Sequence, residues 1–240
     1  MKSCTKCNRG RVWFVSGIDT CVGKTVATGL MCRYLVLRGV DAITVKMVQT
    51  GCDGFSEDVD AHRRLCGMGT QPEDVEGLTA PQIFRYPSSP LLSARLEGRS
   101  VDLEKIAGCV AACAARREAV LVEGAGGMLV PLAENTLAAD FAASQGWPLI
   151  LVTCGRLGSI NHTLLSLEAA AARGMHVAGV VFCWHPGVPP EIDADAEEET
   201  RRRMAGMGMA PVVVRVPRIP EVAGQGAGRL PDVDFAEVFA

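Results

Sequence analysis

The chain has 240 residues, of which 48% are hydrophobic and 21% are charged, and its formal net charge is −3. This length and composition predict an ordinary soluble globular protein with a substantial core, and they exclude intrinsic disorder and collagen-like repetition. The slight acidic excess provides no basic face for a phosphate backbone, so we expect a small-molecule or protein partner and no nucleic acid.

The chain opens on a polar segment, residues 1–10, without the apolar stretch of a secretory signal. It contains Cys4 and Cys7, two of ten cysteines. Their spacing suggests a zinc or redox site, but a structural zinc needs four ligands and no second pair has the required spacing, so this segment is predicted to be a flexible, loosely packed extension. A chain of this length folds without disulfides, and we therefore expect reduced thiols and a cytoplasmic protein. No apolar block approaches the roughly 18 residues of a membrane-spanning helix.

After the extension, short apolar runs alternate with longer segments of helical spacing, which is typical of parallel strands joined by crossover helices. The predicted strands cover residues 12–16, 42–46, 119–123, 149–153, 177–183 and 212–216. The predicted helices cover residues 24–38, 103–117 and 160–173. One α/β domain over residues 11–240 accounts for this pattern, with a mostly parallel central sheet between helices. Ligands of such sheets bind at the carboxyl ends of the strands.

The first predicted strand leads into residues 17–25, with the sequence GIDTCVGKT, and then directly into a helix. This is the setting of a phosphate-binding loop, in which backbone N–H groups and the helix N-terminus hold phosphate oxygens. Lys24 is placed to reach the terminal phosphates and Thr25 to face Mg²⁺. Five residues separate Gly17 from Gly23, one more than in the strict motif, so a plain helix-start turn remains an alternative.

Acidic residues that could accompany a phosphate-bound metal follow later in the chain. Glu123 ends the third predicted strand, residues 119–123, and a glycine-rich stretch follows it. This position predicts that Glu123 binds magnesium directly or through water. A solvated turn acid is the alternative. Glu57, Asp58 and Asp60 crowd a single helix start, where the helix dipole alone would favour all three.

Four blocks, in this order, resemble the dethiobiotin synthetases, the ATP-dependent enzymes that close the ureido ring in biotin biosynthesis. They are residues 17–25, 46–51 (KMVQTG), 122–127 (VEGAGG) and 155–163 (GRLGSINHT). The phosphate loop of that family has the five-residue spacing noted above. The resemblance extends over roughly residues 12–220 and implies a single-domain P-loop fold and a homodimer with its active site near the interface.

The resemblance also implies the reaction, which uses MgATP, CO₂ and 7,8-diaminononanoate. One substrate amine takes up CO₂ as a carbamate, and the γ-phosphoryl group of ATP is transferred to it. The second amine then attacks the mixed anhydride, which closes the ring and expels phosphate. Phosphoryl transfer of this kind depends on positioning and on charge neutralisation, so lysines and a metal ion are expected around the γ-phosphate.

Site roles follow from the same resemblance, residue by residue. Lys24 and Lys46 would contact the phosphates and the carbamate, and Thr50 would orient the carbamate. Thr25, Asp60 and Glu123 would hold Mg²⁺, so the resemblance favours Asp60 over Asp58. The nucleotide would contact Gly17, Asp19, Thr20, Cys21, Val22, Gly23, Lys24, Thr25, Val26, Glu123, Cys183, Pro217, Ile219 and Glu221. The diamine would contact Thr20, Lys46, Thr50 and Gly126, together with Gly158, Ser159, Ile160 and Asn161 across the dimer interface.

Two of these assignments have alternatives. Asn161 is also a candidate N-cap of its helix. Cys183 stands where the family has an asparagine that reads adenine, and a thiol cannot supply the paired donor and acceptor of an amide. Strict ATP preference is therefore not expected, and other nucleoside triphosphates become candidate substrates, unless backbone groups near residues 217–221 compensate.

Two other functions fit parts of the pattern. ATP-dependent switches of the partitioning or metal-chaperone type share the loop and helix, but they carry an additional lysine early in the loop, where this chain has Ile18 and Asp19. Amide-forming enzymes of cobalamin biosynthesis share the synthetase core, but they need an additional glutaminase domain, for which 240 residues leave no room.

Overall fold

The computed structural model describes residues 10–219 and 230–240. The strands are β1 (Arg11–Gly17), β2 (Ala42–Lys46), β3 (Gln49–Thr50), β4 (Ile83–Phe84), β5 (Ala119–Gly127), β6 (Pro131–Ala133), β7 (Thr136–Leu137), β8 (Leu149–Cys154), β9 (Val177–Cys183) and β10 (Val213–Val216). The helices are α1 (Lys24–Leu37), α2 (Glu57–Cys66), α3 (Pro72–Val75), α4 (Pro90–Leu96), α5 (Leu103–Arg116), α6 (Ala138–Ser144), α7 (Ser159–Ala171) and α8 (Pro190–Gly206). A short 3₁₀ helix covers Ala236–Val238.

A parallel sheet of six strands forms the centre of the protein, in the order β10–β9–β8–β1–β5–β2. Its members are the six strands that the sequence predicts, with ends that differ by at most four residues. The predicted α/β fold with a parallel sheet is therefore confirmed. The predicted extension lies outside the described residues except for Gly10, whose N–H donates to the carbonyl of Ala114.

Both faces of this sheet are covered, which is why its strands are mainly apolar and do not alternate regularly between apolar and polar residues. Phe14 of β1 belongs to one buried cluster, together with residues of α5 and α6. Its neighbour Val15 points to the opposite cluster, which includes α1 and the C-terminal residues Phe235 and Val238. Within the described ranges, no helix is long and apolar enough to cross a lipid bilayer.

Helix α2, which sequence periodicity did not predict, is fixed by signals at both ends. Its N-cap Ser56 accepts a hydrogen bond from the backbone N–H of Val59, and Gly67 ends the helix with φ +75°. Arg63 anchors α2 to the rest of the fold. Its guanidinium donates to Thr44 of β2 and forms a bidentate contact with Asp74 of α3. The rotation of α2 about its axis is therefore set by tertiary contacts.

Helices α1 and α2 pack so closely that no side chain fits at Gly29 of α1. A Cβ atom built there would lie 2.7 Å from Cβ and 2.8 Å from Cδ1 of Leu65. Gly108, in the middle of α5, shows the opposite situation, since nothing lies within 4 Å of a Cβ at that position. The two glycines make a matched pair for testing this contact.

Replacement of Gly29 by Ala is predicted to destabilise the protein by about 1–3 kcal/mol, because the overpacking outweighs the better helix propensity of alanine. Gly108→Ala should instead stabilise it by about 0.5–1 kcal/mol. Urea unfolding measures both changes. In a Leu65→Ala background the cost of Gly29→Ala should fall only in part, because the contact with Cδ1 is removed but the contact with Cβ remains. Equal effects of the two glycine substitutions would contradict this description of the α1–α2 contact.

Candidate active site

A cavity of about 450 Å³ opens where β1, β2 and β5 end. Its size is that of a small-molecule site, and it lies at the sheet edge where parallel sheets bind ligands. Residues that the sequence predicted for the site and that border this cavity are Thr20, Cys21, Gly23, Lys24, Thr25, Val26, Lys46, Thr50, Glu123 and Gly126. It is also bordered by Val48, Gln49 and Ala125, which the sequence did not assign to the site, and by Asp58, over which the resemblance favoured Asp60.

The loop between β1 and α1 has the backbone of an anion-binding turn. Gly23 caps α1 in the left-handed region, with φ +97°, and leaves the N-terminus of the helix open to the cavity. Lys24 is buried, and its Nζ donates to the carbonyl of Asp19 at 2.6 Å. Its ammonium group therefore lies against the backbone of the loop. Burial lowers the pKa of Lys24.

Other loop residues predicted to hold the nucleotide lie outside the cavity wall. The side chain of Asp19 pairs with Arg156 and borders a separate cavity beside α7. Its carboxyl pKa is lowered, mainly because the backbone N–H of Thr20 donates to it. Val22 is buried in the core, and Gly17 is the last residue of β1. Backbone contacts with a ligand are the role left open to these residues.

The centre of the site is a buried ion pair between neighbouring strands. Lys46 and Glu123 are register partners where β2 pairs with β5, and Lys46 Nζ lies 2.7 Å from Glu123 Oε1. Lys46 also donates to the carbonyl of Gly124 at 3.1 Å, and it lies 2.7 Å from Oδ2 of Asp58. Thr25 Oγ1 lies 2.8 Å from Oδ1 of Asp58 and 3.2 Å from Oε1 of Glu123.

These contacts keep both members of the pair charged despite their burial. Burial by itself would raise the pKa of Glu123, but the charge of Lys46 and a hydrogen bond from His62 outweigh it and hold that pKa well below its usual range. Burial would likewise lower the pKa of Lys46, but the carboxylates of Glu123 and Asp58 raise it. The site therefore presents fixed charges of both signs around one cavity.

The structure corrects the choice between the two acids of α2. Asp58, and not Asp60, faces the cavity and contacts Thr25 and Lys46, whereas Asp60 is exposed to solvent. Residues two apart on an α-helix point about 200° away from each other, so one helix face can bring only one of them to the site. The expectation that Asp60 joins Thr25 and Glu123 therefore does not fit this geometry.

The loop before α2 helps to hold Asp58 at the site. Ser56 Oγ donates to the side-chain carbonyl of Gln49 at 2.7 Å, and Gln49 Nε2 donates to the carbonyl of Thr50 at 3.2 Å. These bonds join the first turn of α2 to β3, next to the cavity. The Ser56 cap is a signal that sequence reasoning could have used, since it sets where α2 begins.

A second cavity, of about 420 Å³, adjoins the first. Thr20, Thr50, Ala125 and Gly126 border both. The far side of the second cavity is formed by residues 87–90, at the start of α4. This Pro-Ser-Ser-Pro segment carries a capping serine followed by a proline in the first helical turn, a start signal that the sequence analysis missed. Thr50, predicted to orient a carbamate, stands at the junction of the two cavities.

Residues 158–161 are not brought to either of these cavities within one chain. They begin α7, where Gly158 is the N-cap with φ +89°, so Asn161 is not the cap and instead lies exposed within the helix. Ser159 is buried. Two leucines beside them are strongly exposed, Leu157 at 95% and Leu165 at 55%.

The end of β9 does not present a base-reading side chain. Cys183 is only 3% exposed, and its Sγ lies 3.8 Å from the carbonyl of Gly23, beneath the phosphate loop. Burial raises the pKa of its thiol to about 12. The next residue, Trp184, is partly exposed and lies under the guanidinium of Arg218. Pro217 is exposed and Ile219 half-buried, whereas Glu221 lies outside the described residues.

The oxygens gathered in the first cavity fit a magnesium ion. Mg²⁺ prefers hard oxygen ligands and is usually held by one or two carboxylates together with phosphate oxygens and water. Thr25, Asp58 and Glu123 supply one hydroxyl and two carboxylates within mutual contact distance. In the part of the chain that the structure describes, no group of three or more His, Cys, Asp or Glu side chains could hold a metal ion. A magnesium ion here would therefore need phosphate oxygens and water as further ligands.

Comparisons with known proteins show which family the chain belongs to. Residues 11–225 match a protein family described as an AAA domain. The chain is similar to the ATP-dependent dethiobiotin synthetase BioD of Chlorobaculum tepidum, with 44% identity over 210 residues that cover 87% of this chain and 88% of that protein. It is also similar to the ATP-dependent dethiobiotin synthetase BioD 2 of Haemophilus influenzae, with 46% identity over 177 residues, or 74% of this chain and 93% of that protein.

A likeness to a solved structure concerns the fold alone. A ParA family ATPase from Chlorobium tepidum matches with a TM-score of 0.51 at 11% identity, over 88% of this chain and 86% of that one.

Proposed function

Because this chain belongs to the family of ATP-dependent dethiobiotin synthetases, we propose that it is the cyclo-ligase that converts 7,8-diaminononanoate and CO₂ into dethiobiotin at the expense of ATP. The observation that carries the proposal is the meeting of two lysines, two carboxylates and a threonine in one cavity that opens directly into a second. The partitioning-type switch has the same architecture, but its likeness to this chain extends only to the fold.

The two cavities suit the two substrates. The first, under the phosphate loop, holds the triphosphate, because the N-terminus of α1 and Lys24 line it. The second holds the diamine, and its boundary with the first at Thr50 and Gly126 is where the carbamate meets the γ-phosphate. Lys46 neutralises the transferring phosphoryl oxygens, and Thr50 orients the carbamate through its hydroxyl.

The chemistry then balances as follows. One amine of the substrate adds to CO₂ and loses a proton to give the carbamate. A carbamate oxygen attacks the γ-phosphorus, and the bond from that phosphorus to the bridging oxygen of ADP breaks. The second amine attacks the carbonyl carbon of the mixed anhydride and loses a proton, phosphate leaves, and the ureido ring is closed. Thr25, Asp58 and Glu123 would hold Mg²⁺, which neutralises phosphate charge.

A homodimer completes the proposal. Helix α7 of a second copy would bring its N-terminus to the diamine, where backbone N–H groups suit the distant carboxylate of the substrate. The exposed Leu157 and Leu165 beside that helix start support an interface there. The proposed compartment is the reducing cytoplasm, in keeping with the free thiols of the cysteines that the structure describes.

The purified protein is predicted to release phosphate from ATP only when both diaminononanoate and bicarbonate are present, because the acceptor of the phosphoryl group is the carbamate. A coupled phosphate assay with each component omitted in turn measures this. A Lys46→Ala preparation, purified in parallel, controls for contaminating ATPases. Equal hydrolysis without the diamine, or hydrolysis that requires a protein partner, would reject the synthetase assignment.

The two acids of α2 provide a matched test of the metal site. Asp58→Asn should raise the Mg²⁺ concentration for half-maximal activity by at least about tenfold, as expected when a metal-site carboxylate is lost. Asp60→Asn should leave it nearly unchanged, because that side chain is exposed. A titration of activity against free Mg²⁺ at saturating ATP compares them. The reverse order would restore Asp60 as the metal-site acid.

Nucleotide selectivity is predicted to be weak, since Cys183 is buried under the phosphate loop and offers no amide to a base. CTP and GTP should support turnover with kcat/KM within about tenfold of ATP, which corresponds to about 1.4 kcal/mol. A competition series under the same assay conditions measures the ratios. A preference for ATP of about a hundredfold or more would mean that backbone groups read the adenine.

A further inference from the structure

His62 lies in the middle of α2, one helical turn after Asp58, and does not border either cavity. Its side chain and that of Glu123 are both 0% exposed, and its Nε2 lies 2.7 Å from Oε2 of Glu123. Because an ionised carboxylate can only accept, Nε2 carries the hydrogen of this bond. The bond to Glu123 is therefore the direct polar contact between His62 and the site.

The two oxygens of Glu123 have different partners. Oε1 is shared by Lys46 at 2.7 Å and Thr25 at 3.2 Å, on the side of the cavity. Oε2 is bonded to His62, on the side away from it. The imidazole thus fixes the rotation of the carboxylate and keeps one oxygen directed to the cavity. It would continue to do so when Lys46 moves toward a phosphoryl group.

Packing does not account for the polarity of His62. Its second ring nitrogen, Nδ1, is buried and has no hydrogen-bond partner among residues 10–219 and 230–240. Leaving such an atom unpaired in the interior is destabilising. An apolar side chain would fill the same space without that cost. The bond to Glu123 is the contact that an apolar side chain could not replace.

We propose that His62 is a positioning residue for the metal site, which holds the Glu123 carboxylate so that Oε1 faces the ion bound with ATP. This inference rests on the proposed function only in taking Glu123 as a magnesium ligand. Outer-shell partners of this kind typically change metal affinity by about 10–100-fold when they are lost. The expected effect is on metal binding, with little effect on the nucleotide itself.

Three variants separate positioning from packing and from polarity. In His62→Gln the amide nitrogen is as many bonds from Cβ as Nε2 of histidine, so it can restore the hydrogen bond. In His62→Asn the amide is one carbon too short. Leu65→Ala removes buried packing from the same helix without touching Glu123. Thermal unfolding of each variant shows how much of any change is loss of stability.

The readout is binding, measured by calorimetry with ATP in the presence of Mg²⁺ and with ATP in the presence of a chelator. The ratio of the two affinities reports the metal site. We expect His62→Asn to lower this ratio by about 10–100-fold, while His62→Gln stays within about threefold of the unmodified protein. Leu65→Ala should lower Tm and leave the ratio unchanged.

An unchanged ratio in His62→Asn, an equal fall in His62→Asn and His62→Gln, or an equal fall in Leu65→Ala would each overturn the proposal. If His62→Asn does not fold, a more than tenfold fall in folded His62→Gln would overturn it, and retention of the ratio would support it. The proposal would also be overturned if the ATP affinity of the unmodified protein were the same with Mg²⁺ and with the chelator. These binding measurements contain no diamine, so their outcome does not depend on whether the protein synthesises dethiobiotin. The phosphate-release assay tests that activity separately.

Discussion

The active site depends on a carboxylate that the fold buries completely. Glu123 has no access to water, and burying a charge is tolerated only where it is paired and hydrogen-bonded. Three different elements satisfy this requirement: β2 provides Lys46, α2 provides His62 and α1 provides Thr25. Sheet register, helix placement and site geometry are therefore coupled, since a shift of any of these elements would remove a partner of the buried carboxylate.

Much of this arrangement could be predicted from the sequence. Each strand of the central sheet is an apolar run with a clear end, and the loop before α1 has a recognisable order of glycine, lysine and threonine. These features are local. Lys46 and Glu123 could be placed at one sheet edge because parallel strands end together.

What could not be predicted was set by contacts between distant segments. The choice between Asp58 and Asp60 depends on the rotation of α2, which the bonds of Arg63 to Thr44 and Asp74 determine. These bonds cannot be predicted from the spacing of the acids. His62 was missed for the same reason, since a single histidine on a polar helix gives no sign that it is buried against a carboxylate. The likeness to a ParA family ATPase shows that the shared scaffold alone does not decide the reaction.

The contact between Cys183 and Gly23 has a consequence for anyone who wishes to re-engineer this enzyme. A Cβ at position 23 would lie 2.9 Å from both Cβ and Sγ of Cys183, so the strand end and the phosphate loop share a wall with no spare room. An asparagine at position 183 would have to direct its amide past Gly23 to reach a base. A substitution at position 183 that aims at base selectivity would therefore also act on the phosphate loop, so the strand end and the loop would have to be redesigned together.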